Sequence, residues 1–90
     1  MPNIDFSQAV EGFLLSLGAR HLSHNTISDY SRTLARFAKQ FGHLPVASIT
    51  TAHVESYLAG LTGLSNKSIL NQYIALSSMW TWLVADNLAP

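Results

Sequence analysis

Ser23-His24-Asn25-Thr26-Ile27-Ser28-Asp29-Tyr30-Ser31-Arg32-Thr33-Leu34-Ala35-Arg36-Phe37-Ala38-Lys39-Gln40-Phe41-Gly42 is the most strongly patterned stretch of the chain. Wound at 3.6 residues per turn, Ile27, Tyr30, Leu34, Phe37, Ala38 and Phe41 fall on one apolar face of an amphipathic helix. Asn25, Ser28, Asp29, Arg32, Arg36 and Lys39 fall on the other, which gathers three of the five Lys and Arg residues into one solvated stripe. Ser23 is a good N-cap, since its hydroxyl can accept from an otherwise orphan N–H of the first turn. Gly42 suits the other end, where it can take the left-handed conformation that stops a helix.

The same periodicity marks three further helices. Phe6, Val10, Phe13, Leu14 and Leu17 make a face over about residues 5–19, with Asp5 near the positive helix end. Pro45 breaks the helical pattern beyond Gly42, and Val46 and Ile49 are expected to tuck under the bundle. Val54, Tyr57, Leu58 and Leu61 stripe a third helix over about 51–61, capped by Thr50. The last, about 66–86, opens at Ser65 and carries Ile69, Leu70, Tyr73, Ile74, Leu76, Trp80, Leu83 and Val84 over so wide an arc that it must meet several neighbours. Its remaining face reads Lys67, Ser68, Asn71, Gln72, Ala75, Ser78 and Met79. With no strand-like alternation, residues 1–90 are predicted to form a single all-α domain, a compact orthogonal bundle of four or five helices.

Composition narrows the functional classes. The chain is 48% hydrophobic with 11% charged residues, which favours a packed core over disorder. The absence of cysteine removes disulfides and thiolate metal sites, and no apolar run approaches the roughly 18 residues of a membrane helix, so a soluble cytoplasmic protein without a membrane partner is expected. Formal charge is zero, yet residues 24–42 hold Arg32, Arg36 and Lys39 against Asp29 alone. Such asymmetry can steer a polyanion to one face.

The two Ser-capped helix starts and their aromatic sequels resemble the N-terminal core-binding, SAM-like domain of the tyrosine recombinase and phage integrase family. That family's Leu-Ser-Pro-x-Thr start is matched by Leu22-Ser23-His24-Asn25-Thr26, followed by Tyr30, Leu34 and Phe37, with His24 where proline is usual. A second start is similar at Leu64-Ser65-Asn66-Lys67-Ser68, followed by Ala75-Leu76 and Met79-Trp80-Thr81-Trp82-Leu83. The resemblance implies a domain that clamps double-stranded DNA with its second and fourth helices. Its implied partners are a C-terminal catalytic domain, absent from these 90 residues, and other recombinase protomers on DNA. Positions often Arg in the family's fourth helix are Asn71, Gln72, Ser77 and Thr81 here, which implies weak binding by the isolated domain.

The DNA contacts expected are phosphate or guanine contacts from Arg32, Arg36, Lys39 and Lys67, and hydrogen bonds from Asn25, Thr26, Ser28, Asn66, Ser68, Asn71 and Gln72, with His24 a phosphate neighbour. The alternative is that the basic stripe is an ordinary solvated face with Asp29 paired to Arg32. His21 and His24 form a His-x-x-His pair, but no cysteine or nearby carboxylate completes a zinc site, and no nucleophile has a positioned base. Neither a cofactor nor catalysis is expected from this chain. Tyr30, Tyr57 and Tyr73 read as core residues. Trp80 and Trp82 lie about 200° apart on the helix. Met79, Trp82 and Leu88 are therefore expected to contact the catalytic domain or another protomer. The competing functional class is a helical protein-interaction module without DNA binding.

Overall fold

The computed structural model describes residues 4–86. Four α-helices make the bundle: α1 (Phe6–Ala19), α2 (His24–Phe41), α3 (Thr51–Ala59) and α4 (Asn66–Ala85), with a short 3-10 turn at Val46–Ser48 between α2 and α3. α3 stops at Ala59, short of Leu61: the Gly60 N–H still reaches the Ser56 carbonyl, but the Leu61 N–H bonds the Leu58 carbonyl in a tighter three-residue turn. The described residues extend 39 × 31 × 19 Å. The thinnest dimension is two helix diameters of about 10 Å each, so one layer of side chains holds the two helical layers together.

That layer mixes aromatic and aliphatic side chains. Phe6, Phe13, Leu17, Leu34, Phe37, Tyr57, Leu76, Met79 and Leu83 are all almost completely buried. Phe37 lies at its centre, with ring centroids 4.9 Å from Phe6, 5.0 Å from Phe41 and 5.2 Å from Tyr57. Tilted and edge-on pairs of this kind set the quadrupoles of the rings favourably, beyond the area they remove from water. Val46 and Ile49 are buried beneath the bundle.

Capping follows local chemistry. Asp5 and Gln8 form a reciprocal capping box on α1, Asp5 Oδ1 accepting from the Gln8 N–H at 2.8 Å and Gln8 Oε1 from the Asp5 N–H at 3.1 Å. The first turn of α1 is also tied to the α2–α3 connection, with the Phe6 N–H donating to the Leu44 carbonyl and the Val46 N–H to the Ile4 carbonyl. Asp5 and Pro45 make an isolated β-bridge there. Gly42 ends α2 for a reason other than the one anticipated. Its backbone is right-handed, at φ −64°, and a Cβ there would collide with Ser7 Oγ and the Ala38 carbonyl. Close approach of α1, rather than a left-handed turn, requires glycine. At the end of α1 it is His21 that turns left-handed, at φ 57°, where the His21 and Leu22 N–H groups bond the Gly18 and Leu17 carbonyls.

α4 differs most from expectation. Its buried residues are Gln72, Ala75, Leu76, Met79 and Leu83, whereas Leu70, Tyr73, Ile74 and Val84 are exposed. The helix is rotated so that much of the face expected to be polar turns inward. Tyr73, read as core, is half exposed. Met79, read as an interdomain contact, is fully buried against the core because its unbranched side chain fills the gap between helices. Trp82 is partly exposed, with its ring packed on Phe13 at 5.6 Å over the space left by Gly12. Trp80 stacks on Phe6 at 6.1 Å, so each indole finds its own neighbour on α1. Leu88, the third residue of that expected contact, lies outside the described residues.

Candidate nucleic-acid interface

Two equivalent helix starts build the site. Ser23 Oγ accepts from the Thr26 N–H at 3.2 Å and donates to Thr26 Oγ1 at 2.9 Å. Ser65 repeats the arrangement on α4, accepting from the Ser68 N–H at 3.2 Å and donating to Ser68 Oγ at 3.2 Å. Each serine satisfies one orphan donor of the first turn and orders a second hydroxyl three residues on.

Thr26 and Ser68 both line an open groove of about 500 Å³ between α2 and α4. Arg32, Arg36 and Asn71 line it as well, together with Gln72. Six sequence-predicted contact residues thus share one concavity, although they come from positions 26 to 72. Asp29, Tyr30, Thr33, Leu64 and Ile74 complete the lining. His24, Asn25, Ser28, Lys39, Asn66 and Lys67 are exposed but do not line the groove. His24, Asn25 and Ser28 occupy the first turns of α2, Lys39 its last, and Asn66 and Lys67 the first turn of α4.

The charge of the groove is partly offset. Arg32 donates to Asp29 at 2.5 Å, and both side chains remain largely exposed, at 74% and 67%. An ion pair this wet contributes little to stability and yields readily to a competing anion. Among the described residues Arg36 has no carboxylate partner within ion-pair distance. Its guanidinium instead lies beside the Tyr57 hydroxyl. Burial pushes the Tyr57 phenol above the ordinary tyrosine value of 10.0, against the opposing field of the Arg36 guanidinium.

Gln72 occupies a different position from the exposed one expected. It is 8% exposed, and its Oε1 accepts a 2.5 Å hydrogen bond from the Tyr57 hydroxyl. Tyr57 was legible only as a core ring; nothing in the local pattern marks a hydroxyl that will find an amide fifteen residues away. Tyr30 spans the other end of the helix pair, its hydroxyl 3.4 Å from Ser78 Oγ.

Among the described residues no group of three or more metal-ligating side chains comes together, and no helix is long and apolar enough to cross a membrane. A sequence model of the phage integrase, N-terminal SAM-like domain matches residues 10–87, which takes in both helix starts and the whole groove. No curated protein and no solved structure matches the chain.

Proposed function

Because the chain belongs to the phage integrase N-terminal SAM-like domain family, we propose that it is the non-catalytic DNA-gripping domain of a site-specific tyrosine recombinase, with α2 and α4 laid against duplex DNA. The observation that carries this is the single groove in which Arg32 and Arg36 of α2 meet Ser68 and Asn71 of α4. An α-helix fits the major groove of B-DNA, phosphate neutralisation by Lys and Arg supplies affinity, and side-chain amides and hydroxyls beside those charges read base edges. Lys39, Lys67 and His24, exposed around the groove, extend the phosphate-binding surface along the duplex. Asn25, Thr26, Ser28 and Asn66 add hydrogen-bonding groups at the two helix starts. Cutting and rejoining of strands falls to a separate catalytic domain, with which this one would close a clamp in the cytoplasm, alongside further protomers on the same site.

Titration with duplex DNA at several salt concentrations tests the assignment. With three to four phosphates neutralised, log affinity falls against log salt with a slope of about −3. Replacing Arg32 and Arg36 together by Ala brings the slope to about −1.5. A slope unmoved by that double substitution removes the groove from the DNA face.

One observation favours a second reading, a protein-docking module. Leu70, Tyr73, Ile74 and Val84 form an exposed apolar row along α4, 43–55% accessible. A salt-insensitive protein complex, formed by a chain that binds no duplex, would decide for that class.

A further inference from the structure

Gln72 is the one buried polar or charged residue among the described residues. A side-chain amide carries an acceptor oxygen and a two-proton donor nitrogen, and both need partners when buried. The oxygen has one, the Tyr57 hydroxyl. The direction of that bond follows from its acceptor: an amide oxygen has no proton to give, so the phenol donates to Gln72. The amide is thereby held with its oxygen toward Tyr57. Its Nε2 meets no acceptor among the described residues, and it is not sealed from solvent, because no fully buried side-chain nitrogen or oxygen lacks a partner. Gln72 lines the α2–α4 groove, so the NH2 group is left on the groove floor beside Arg36 and Asn71.

We propose that Gln72 is a specificity-determining residue and Tyr57 its positioning residue, the buried Tyr57–Gln72 hydrogen bond presenting the Gln72 NH2 as a fixed donor to an acceptor atom of duplex DNA, a phosphate oxygen or guanine O6 or N7. This rests on the DNA-binding assignment above. Glutamine ordinarily pairs with adenine through both amide atoms, accepting from N6 and donating to N7. Here the oxygen is turned to Tyr57, which closes the adenine mode and leaves single-donor recognition. The fixed orientation also means that little rotamer freedom is lost on binding.

The 90-residue chain is tested against a pool of randomised DNA duplexes as wild type, Tyr57→Phe and Gln72→Met. Tyr57→Phe keeps the ring that packs on Phe37, and Gln72→Met keeps the length of the side chain. Gln72→Met weakens binding about tenfold, and Tyr57→Phe less, with thermal melting confirming that both are folded. If the acceptor is a base, wild type selects guanine at one position, Gln72→Met loses that preference, and Tyr57→Phe, which releases the oxygen, moves it toward adenine. If the acceptor is a phosphate, both variants lose affinity uniformly across the pool. In the free protein, NMR detects a protected Tyr57 hydroxyl proton and a freely exchanging Gln72 NH2, and this measurement with Tyr57→Phe decides the matter should Gln72→Met not fold. Wild-type affinity and base preference in both variants, while the Arg32/Arg36 double substitution still weakens binding, overturn the proposal and spare the DNA assignment. A protected Gln72 NH2 overturns it as well. A wild-type chain that binds no duplex overturns both.

Discussion

α2 and α4 are nearly the same length, 18 and 20 residues, and both start from a serine whose hydroxyl caps the third helical residue. They part in how their sequences choose an inward face. α2 has polar residues on one side and apolar ones on the other, so only one rotation about its axis keeps Leu34 and Phe37 from water while leaving Arg32, Arg36 and Lys39 wet. α4 is apolar around most of its circumference, and several rotations would bury similar area. Its neighbours decide among them: Gly12 and Phe13 receive Trp82, Phe6 receives Trp80, and Tyr57 supplies the hydroxyl that lets Gln72 turn inward. A helix with one narrow apolar side carries its orientation in its own sequence, whereas a helix with so wide an apolar arc takes it from what it packs against.

Truncations on α4 test that contrast most severely. Met79→Ala is expected to cost about 2–5 kcal/mol, as Phe37→Ala on α2 costs about 3–5, while Tyr73→Ala stays within about 1 kcal/mol. Urea unfolding of the three variants measures this, and a Tyr73 effect equal to that of Met79 would return α4 to the orientation its apolar arc suggests. Gly42→Ala comes next at about 1–3 kcal/mol, because the added methyl must displace Ser7 or the last turn of α2. Thermal melts should locate that loss in the α1–α2 contact, with Ser7→Ala partly relieving it. Ser23→Ala and Ser65→Ala should each cost about 1 kcal/mol, and equally, since their caps share one geometry. Unequal losses would separate two helix starts that are structurally alike.

The smallest effect is alkaline. The folded Tyr57 phenol titrates above its unfolded value of 10.0, so the folded state holds that proton more tightly. Stability from this source is complete below pH 10.0 and is lost as the pH rises through the folded value. Tyr57→Phe should flatten the fall in melting temperature above that pH, while leaving its value near neutrality lower by the missing hydrogen bond.

The sequence carried the fold further than it carried the groove. Helix starts were legible at Asp5, Ser23, Thr50 and Ser65 because capping is local, and the family likeness rests on two of them. The inward face of α2 was legible for the same reason. Choices made between distant residues could not be read. Gln72 looks like any polar surface residue until Tyr57 is placed against it, and Met79 looks like a spare apolar group until the core cluster encloses it. Arg32 and Arg36 could be grouped by periodicity alone. Their meeting with Ser68 and Asn71 depended on how α2 and α4 pack, which no local pattern contains.

The seam between residues 4–6 and 44–46 bears on where this unit can be trimmed. Phe6 is wholly enclosed, and it reaches Phe37 of α2 and Trp80 of α4 from a backbone pinned to Leu44. A fragment beginning at Val10 would keep every residue of the groove and still lose the peg on which both groove-forming helices hang. It should expose fresh oily surface and clump, so an autonomous module has to retain the opening segment even though that segment lies far along the chain from Ser68 and Asn71.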